Sequence, residues 1–288
     1  MNAATQFETY RPLMFSIAYR MLGSAVEAED IIQETYLRYQ SVPPETITSP
    51  KAFLCTIVTR LCLNQLQSAR AQRETYIGPW LPEPVLTDDD PRLAPSDQAT
   101  LHDSISMAFL VLLEQLTPLE RAVFLLREVF DYEYAEVAEI VGKEEAACRQ
   151  LFSRAKKRIA AQRPRFRPSR DEHRQLLDQF LQAVSAGEME GLRQLLADDV
   201  TMWADGGGKV RGAATQPLHG RNAVARFVLA STRFLVEGYH AEIAEVNGEP
   251  AVVLRADDRA LLVLFSTGAH GKVQEIRVIG NPDKLKHV

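Results

Sequence analysis

Apolar residues recur at helical spacing through the first half of the chain. In residues 7–22 they fall at Met14, Phe15, Ala18, Met21 and Leu22, and Gly23 stops the run. Ser24-Ala-Val-Glu27 reads as a capping box, which predicts a second helix to about Gln40. Residues 41–49, with Pro43 and Pro44, read as a loop. Ser49-Pro50 puts an N-cap serine before a first-position proline, so a third helix runs to about Ala71. Residues 1–75 are thus expected to form a small helical domain. Residues 76–100 carry Pro79, Pro82, Pro84, Pro91, Pro95 and Asp88-Asp89-Asp90, the composition of an extended acidic linker. Helical periodicity resumes at Leu101, and Thr117-Pro118-Leu119-Glu120 combines N-cap, first-turn proline and capping glutamate. Residues 101–163 read as a second all-helical unit.

The period changes after a short linker at 164–169. Residues 170–186, 188–196 and 221–232 read as helices; 200–204, 239–246, 251–255, 261–265 and 273–279 read as strands. In the last strand Val273, Glu275, Arg277 and Ile279 alternate with Gln274, Ile276 and Val278. Residues 170–288 therefore read as an α+β domain with mostly antiparallel strands.

At 288 residues, 46% hydrophobic and 25% charged, the chain has ordinary globular composition. It shows no apolar run near the ~18 residues that cross a bilayer and no signal-peptide pattern at its start, so a cytoplasmic, membrane-free protein is expected. Cys55, Cys62 and Cys148 match neither a disulfide framework nor a zinc ligand set and read as small buried residues. No cofactor and no metal are expected.

The formal charge of -5 argues mildly against nucleic acid until the charges are mapped. Residues 88–139 hold twelve acidic residues and three basic, whereas residues 149–170 hold nine basic and no acidic ones. Such a block is either a solvated face or the footprint of phosphate binding. Its setting favours the second. Ala138, Gly142 and Cys148 sit at the spacing of two short helices crossing at a tight turn, with Val137, Val141 and Leu151 sealing the angle. In the second helix Cys148, Leu151, Phe152, Ala155 and Ile159 form a buried stripe, and Arg149, Gln150, Ser153, Arg154, Lys156 and Lys157 face away. That chemistry suits a major groove. Glu144 and Glu145 favour the helix dipole and repel phosphate, unless one accepts from cytosine N4.

Three segments in order then carry a resemblance: Glu27-Ala-Glu-Asp30-Ile-Ile-Gln33-Glu34, Lys51 to Asn64 and Leu116-Thr-Pro-Leu-Glu-Arg121. Over about residues 7–160 the chain resembles bacterial extracytoplasmic-function (ECF) sigma factors, with region 2 at 1–75 and the region 4 helix-turn-helix at 101–163. The resemblance implies an alternative-sigma initiation factor that binds the β′ clamp helices and β subunit of core RNA polymerase and recognises the -10 and -35 elements of promoter DNA. Carried over, it assigns Asp30, Gln33 and Glu34 to core polymerase. It assigns the 41–49 loop with Arg60, Asn64, Gln67, Arg70 and Arg73 to the -10 element, and Glu145, Arg149, Gln150, Ser153, Arg154, Lys156 and Lys157 to the -35 element.

Residues 170–288 resemble a SnoaL-like domain, a curved sheet around a cone-shaped cavity. Trp80-Leu-Pro82-Glu-Pro, Asp205-Gly206-Gly207-Gly208-Lys209 and Asn281-Pro282-Asp283-Lys-Leu are together similar to the sigma-factor subgroup with that domain fused, which implies regulation in cis through an intramolecular contact. Trp80 is unfavourable in water at ~25 cal/mol per Å2 unless it docks, and the C-terminal domain is the expected dock. The plainer alternative is a hairpin turn with Trp80 packed on its own domain. Asp199, Asp205, His219, Tyr239 and His240 are the acid or base groups an enzyme would use, but no spacing pairs them, and a non-enzyme is expected. A cavity for a small ligand is left open. The competing function is a ligand-responsive helix-turn-helix regulator that works without polymerase.

Overall fold

The computed structural model describes residues 3–87, 105–162, 169–235, 238–256, 259–267 and 271–288. It divides into two compact units, Met1–Glu74 with Asp89–Arg163, and Thr75–Asp88 with Pro164–Val288.

The first unit is helical: α1 (Ala3–Leu22), α2 (Ala25–Gln40), α3 (Pro50–Glu74), α4 (Met107–Leu113), α5 (Pro118–Phe124), α6 (Tyr134–Val141) and α7 (Glu145–Gln162). Gly23 ends α1 in the left-handed region at φ 69°, its N–H donating to the Tyr19 carbonyl. The Ser24 hydroxyl accepts from the Glu27 N–H to start α2. Met14, Phe15, Ala18 and Leu22 pack with Leu54, Val58 and Cys62 of α3 in a core closed to solvent. All three cysteines are buried. The Thr117–Glu120 capping box opens α5 as its sequence requires. Periodicity does not anticipate the wider π turn over Leu125–Val129. It leads into Asp131 at φ 56° and sets the direction of α6.

The second unit holds α8 (Arg170–Ser185), α9 (Met189–Leu195), β1 (Leu196–Asp205), β2 (Leu218–His219), α10 (Arg221–Ser231), β3 (His240–Val246), β4 (Glu249–Ala256), β5 (Arg259–Thr267) and β6 (Val273–Ile279). The six strands form one sheet in the order β2-β1-β6-β5-β4-β3. Only the β1–β6 pairing is parallel. Leu177 and Phe180 of α8, Leu192 of α9 and Val224 of α10 close over Val200, Val252 and Ile276 of the sheet.

The linker reading needs correction for its first part. Leu81, Pro82, Glu83, Pro84 and Val85 are all buried, and residues 75–88 belong to the second unit. Proline makes this burial inexpensive, because Pro82 and Pro84 have no N–H to leave unsatisfied. Two of the remaining donors are met by the tail domain: the Leu81 N–H donates to Asp205, and the Val85 N–H to the Asn247 side chain. Leu86 forms a bridge with Val246 at the sheet edge. Residues 89–100, the rest of the expected linker, lie outside the described residues.

Candidate nucleic-acid interface and tail-domain latch

The helix-turn-helix turns at Gly142, which adopts φ 67°, ψ 44°. A Cβ there would meet nothing within 4 Å, so the glycine answers the backbone angle and not a close approach. Cys148, Ala155 and Ile159 are buried, with Leu151 and Phe152 half-buried beside them. The outer side of α7 splits into two stripes. Gln150, Ser153, Arg154 and Lys157 are exposed, follow the i, i+3, i+4, i+7 spacing and have no carboxylate partner among the described residues. The neighbouring stripe is already engaged. Arg149 pairs with Glu145 and lies 4.3 Å over the Tyr134 ring, and Lys156 pairs with Glu128 at 3.2 Å. The sequence had grouped all seven together.

The surface assigned to the -10 element is less open than expected. Arg60 on α3 donates to the Ile140 carbonyl at 3.0 Å and the Glu139 carbonyl at 3.1 Å, at the C-terminal end of α6, where the helix dipole favours a cation. Asn64 and Gln67 are exposed and, with Arg60, line a cleft of about 660 Å3 against Thr117, Leu119 and Lys143. The side chains of Arg70 and Arg73 lie outside the described residues. The 41–49 loop contains a short turn, Pro44–Thr46, and is mostly exposed. On α2, Asp30 and Gln33 are exposed, while Glu34 is half-buried and paired with Arg38 at 2.8 Å. Leu37 completes that face, 61% exposed. Its spacing from Gln33 and Glu34 was a readable signal, but an isolated leucine in an amphipathic helix reads as core.

The three motif segments of the tail meet around one carboxylate. Asp205 at the end of β1 is fully buried, and one of its oxygens accepts from the Tyr76 hydroxyl. The other accepts from the Leu81 N–H at 2.8 Å and the Lys284 ammonium at 2.7 Å. Lys284 also lies 4.1 Å over the Trp80 ring. Asn281 donates its side-chain N–H to the Tyr76 oxygen at 2.8 Å and caps the turn Pro282–Lys284, in which Pro282 and Asp283 are exposed. Lys209 pairs with Asp283. The glycines are required by proximity: a Cβ on Gly207 would lie 2.4 Å from the Asn281 amide nitrogen, and one on Gly208 2.9 Å from Ile77. Trp80 is therefore docked on the C-terminal domain. Tyr76 and Lys284 were not singled out in the sequence, since each gains its meaning only from the buried carboxylate it meets.

Burial and the adjacent Asp205 carboxylate push the Tyr76 pKa above its ordinary value. The folded state then holds the tyrosine proton more tightly than the unfolded chain. Its stabilisation is complete below the usual tyrosine range near ~10 and is lost as pH rises beyond it. Tyr76→Phe should reduce the fall in the second unit's unfolding midpoint as pH rises above about 10. Equal slopes for the two proteins would refute this.

Residues 6–72 match the Sigma-70 region 2 family, 106–159 match Sigma-70, region 4, and 177–280 match the SnoaL-like domain. The ECF RNA polymerase sigma factor SigJ of Mycobacterium tuberculosis is 38% identical over 98% of this chain and 92% of its own length. The chain belongs to the ECF RNA polymerase sigma factors. The probable ECF sigma factor SigI of Mycobacterium tuberculosis is 29% identical, covering 97% of this chain and 93% of that protein. The crystal structure of SigJ superposes with a TM-score of 0.74 at 35% identity, covering 98% of this sigma factor and 97% of that chain. This ECF factor is an alternative-sigma initiation factor with a SnoaL-like domain fused at its C-terminal side. Among the described residues no helix is long and apolar enough to cross a membrane.

Proposed function

We propose that this sigma factor docks on the β′ clamp helices of core RNA polymerase with Asp30, Gln33, Glu34 and Leu37, and on the β subunit with region 4. It captures the -10 element with the 41–49 loop, Arg60, Asn64, Gln67, Arg70 and Arg73, and reads -35 DNA with α7. Promoter opening is the outcome, in the cytoplasm, where polymerase and promoters meet. The observation that carries this reading is the exposed stripe Gln150, Ser153, Arg154 and Lys157, in which Arg154 and Lys157 have no carboxylate partner among the described residues. Arg149, Lys156 and Glu145 flank it as phosphate-facing or orienting groups. Because Arg60 is held by the α6 carbonyls, its use in promoter capture requires that contact to break.

In this reading the tail regulates and does not catalyse. Asp199, His219 and His240 are exposed, and both oxygens of Asp205 already accept hydrogen bonds. Trp80, Pro82, residues 205–209 and residues 281–283 act as a latch on the segment leading from region 2 towards region 4.

Transcription by purified core polymerase on a promoter-fragment library tests this proposal. Start sites should appear only when the protein is added. Arg154→Ala should weaken promoter binding by ~1–3 kcal/mol and relax specificity at one -35 position. Equal promoter occupancy with and without core polymerase, and no new start sites, would favour the polymerase-independent regulator.

A further inference from the structure

We propose that Tyr134 is a positioning residue for -35 recognition: its ring holds the Arg149 guanidinium in place, so that Arg149 meets a DNA phosphate already ordered. This role rests on the reading of α7 as the -35 helix and adds to it a side chain from outside that helix.

Tyr134 is the first residue of α6, where the capping box of Glu133 and Glu136 fixes its backbone. Its ring is half-buried, and other rings set its orientation. Phe152 of α7 meets it edge to face, with centroids 5.9 Å apart and planes at 81°. Phe152 in turn stacks on the buried Phe124 of α5 at 6.0 Å and 19°. A row of three rings, one from each of three helices, therefore carries the Tyr134 face outward from the helical core. Arg127 also lies 5.4 Å from the Tyr134 centroid, but it is taken up by Asp131 at 3.2 Å and by the Tyr132 carbonyl at 3.2 Å.

Arg149 stands one turn into α7. Its guanidinium carbon lies 4.3 Å from the Tyr134 centroid, inside the ~6 Å range of cation–π attraction. One of its amino groups donates to Glu145. Glu145 alone would make an ordinary exposed helix pair, which leaves an arginine largely mobile. The ring supplies the second restraint. With one face and one amino group held, the other N–H groups of an exposed side chain are left for an acceptor on DNA. An arginine restrained before binding loses less freedom when it meets that acceptor. Lys156, two turns further along α7, repeats the arrangement, 5.4 Å over the Phe152 ring and paired with Glu128. Arg154 and Lys157 have neither a ring nor a carboxylate partner among the described residues. The recognition helix thus carries two kinds of cation, and Tyr134 is what makes Arg149 one of the restrained kind.

The test assembles the full-length protein with core polymerase on a promoter recovered from the fragment library and compares affinities in a double-mutant cycle. Tyr134→Leu should weaken promoter binding about fivefold, the size of an exposed cation–π contact, and Tyr134→Phe, which keeps the ring, should restore it. In an Arg149→Ala background Tyr134→Leu should cost nothing further. Arg149→Ala should lower the salt slope by about one, whereas Tyr134→Leu, which keeps the charge, should leave the slope alone. An equal loss in both backgrounds would mean that the ring only packs against Phe152, and tighter binding by Tyr134→Leu would mean that it holds Arg149 away from DNA; either overturns the proposal. The free protein gives a readout that needs no variant and no DNA: the Arg149 side-chain NMR signals should be displaced by the ring current of Tyr134, and signals at their ordinary positions overturn the platform. Wild-type protein that selects no -35 sequence defeats the reading of α7 instead, and does so before any variant is compared.

Discussion

Replacing Asp205 with alanine is expected to destabilise the C-terminal domain by about 3–5 kcal/mol, because breaking a buried ion pair strands the remaining charge. Lys284, whose side chain is 12% exposed, loses the Asp205 carboxylate, and Tyr76 and the Leu81 N–H lose their acceptor. Asp205→Asn keeps the shape and part of the hydrogen bonding but removes the negative charge beside the Lys284 ammonium, so it should fall between wild type and alanine. Denaturant unfolding measures the loss, and hydrogen exchange at Leu81 shows whether the segment has come free. The covalent path from α3 to α4 passes through this segment, so its release lengthens the tether between regions 2 and 4. Transcription in the core-polymerase assay should consequently rise. Stability within ~0.5 kcal/mol of wild type, the range of an ordinary surface substitution, would contradict the latch.

Arg121→Met is expected to cost the helical unit about 3 kcal/mol, at the lower end for a broken buried pair because Glu114 retains some solvent. The guanidinium is 4% exposed and donates to the Glu114 carboxylate at 2.7 Å and to the Met21 carbonyl at 2.6 Å. Met21 lies in the last turn of α1, where carbonyls lack intrahelical partners and a cation is favoured. Burial pushes Arg121 down to about 9, which leaves it ionised at neutral pH. One side chain therefore joins the end of α1 to α5 across the two sigma regions. Methionine keeps much of the apolar stem and removes the charge, so the loss reports the polar contacts more than packing. The urea midpoint should fall with an unchanged m-value; an unmoved midpoint would show that Arg121 does not hold the regions together. The exposed Arg60 contact to the α6 carbonyls is worth less, about 1 kcal/mol.

Local grammar made much of this protein legible in its sequence. Gly23 and Ser24, the Thr117–Glu120 box and Gly142 each act through their own backbone neighbours, so the helices and the helix-turn-helix follow from residues a few positions apart. Alternating apolar positions likewise announced the strands, and the motif resemblance grouped the segments that carry Trp80, Asp205 and Asn281. What local patterning could not supply is which distant group completes each one. The proline-rich segment reads as a solvated tether until the sheet edge and Asp205 provide partners for its few N–H groups. Arg60 reads as free until the α6 carbonyls reach it, and Arg149 and Lys156 until Glu145 and Glu128 claim them. Tyr76 and Lys284 are ordinary residues until a buried carboxylate gives them a task. Sequence thus determined the elements, whose hydrogen bonds close within a few residues, while only the tertiary structure decided which charges are satisfied and which remain exposed, because that depends on groups brought together from across the chain.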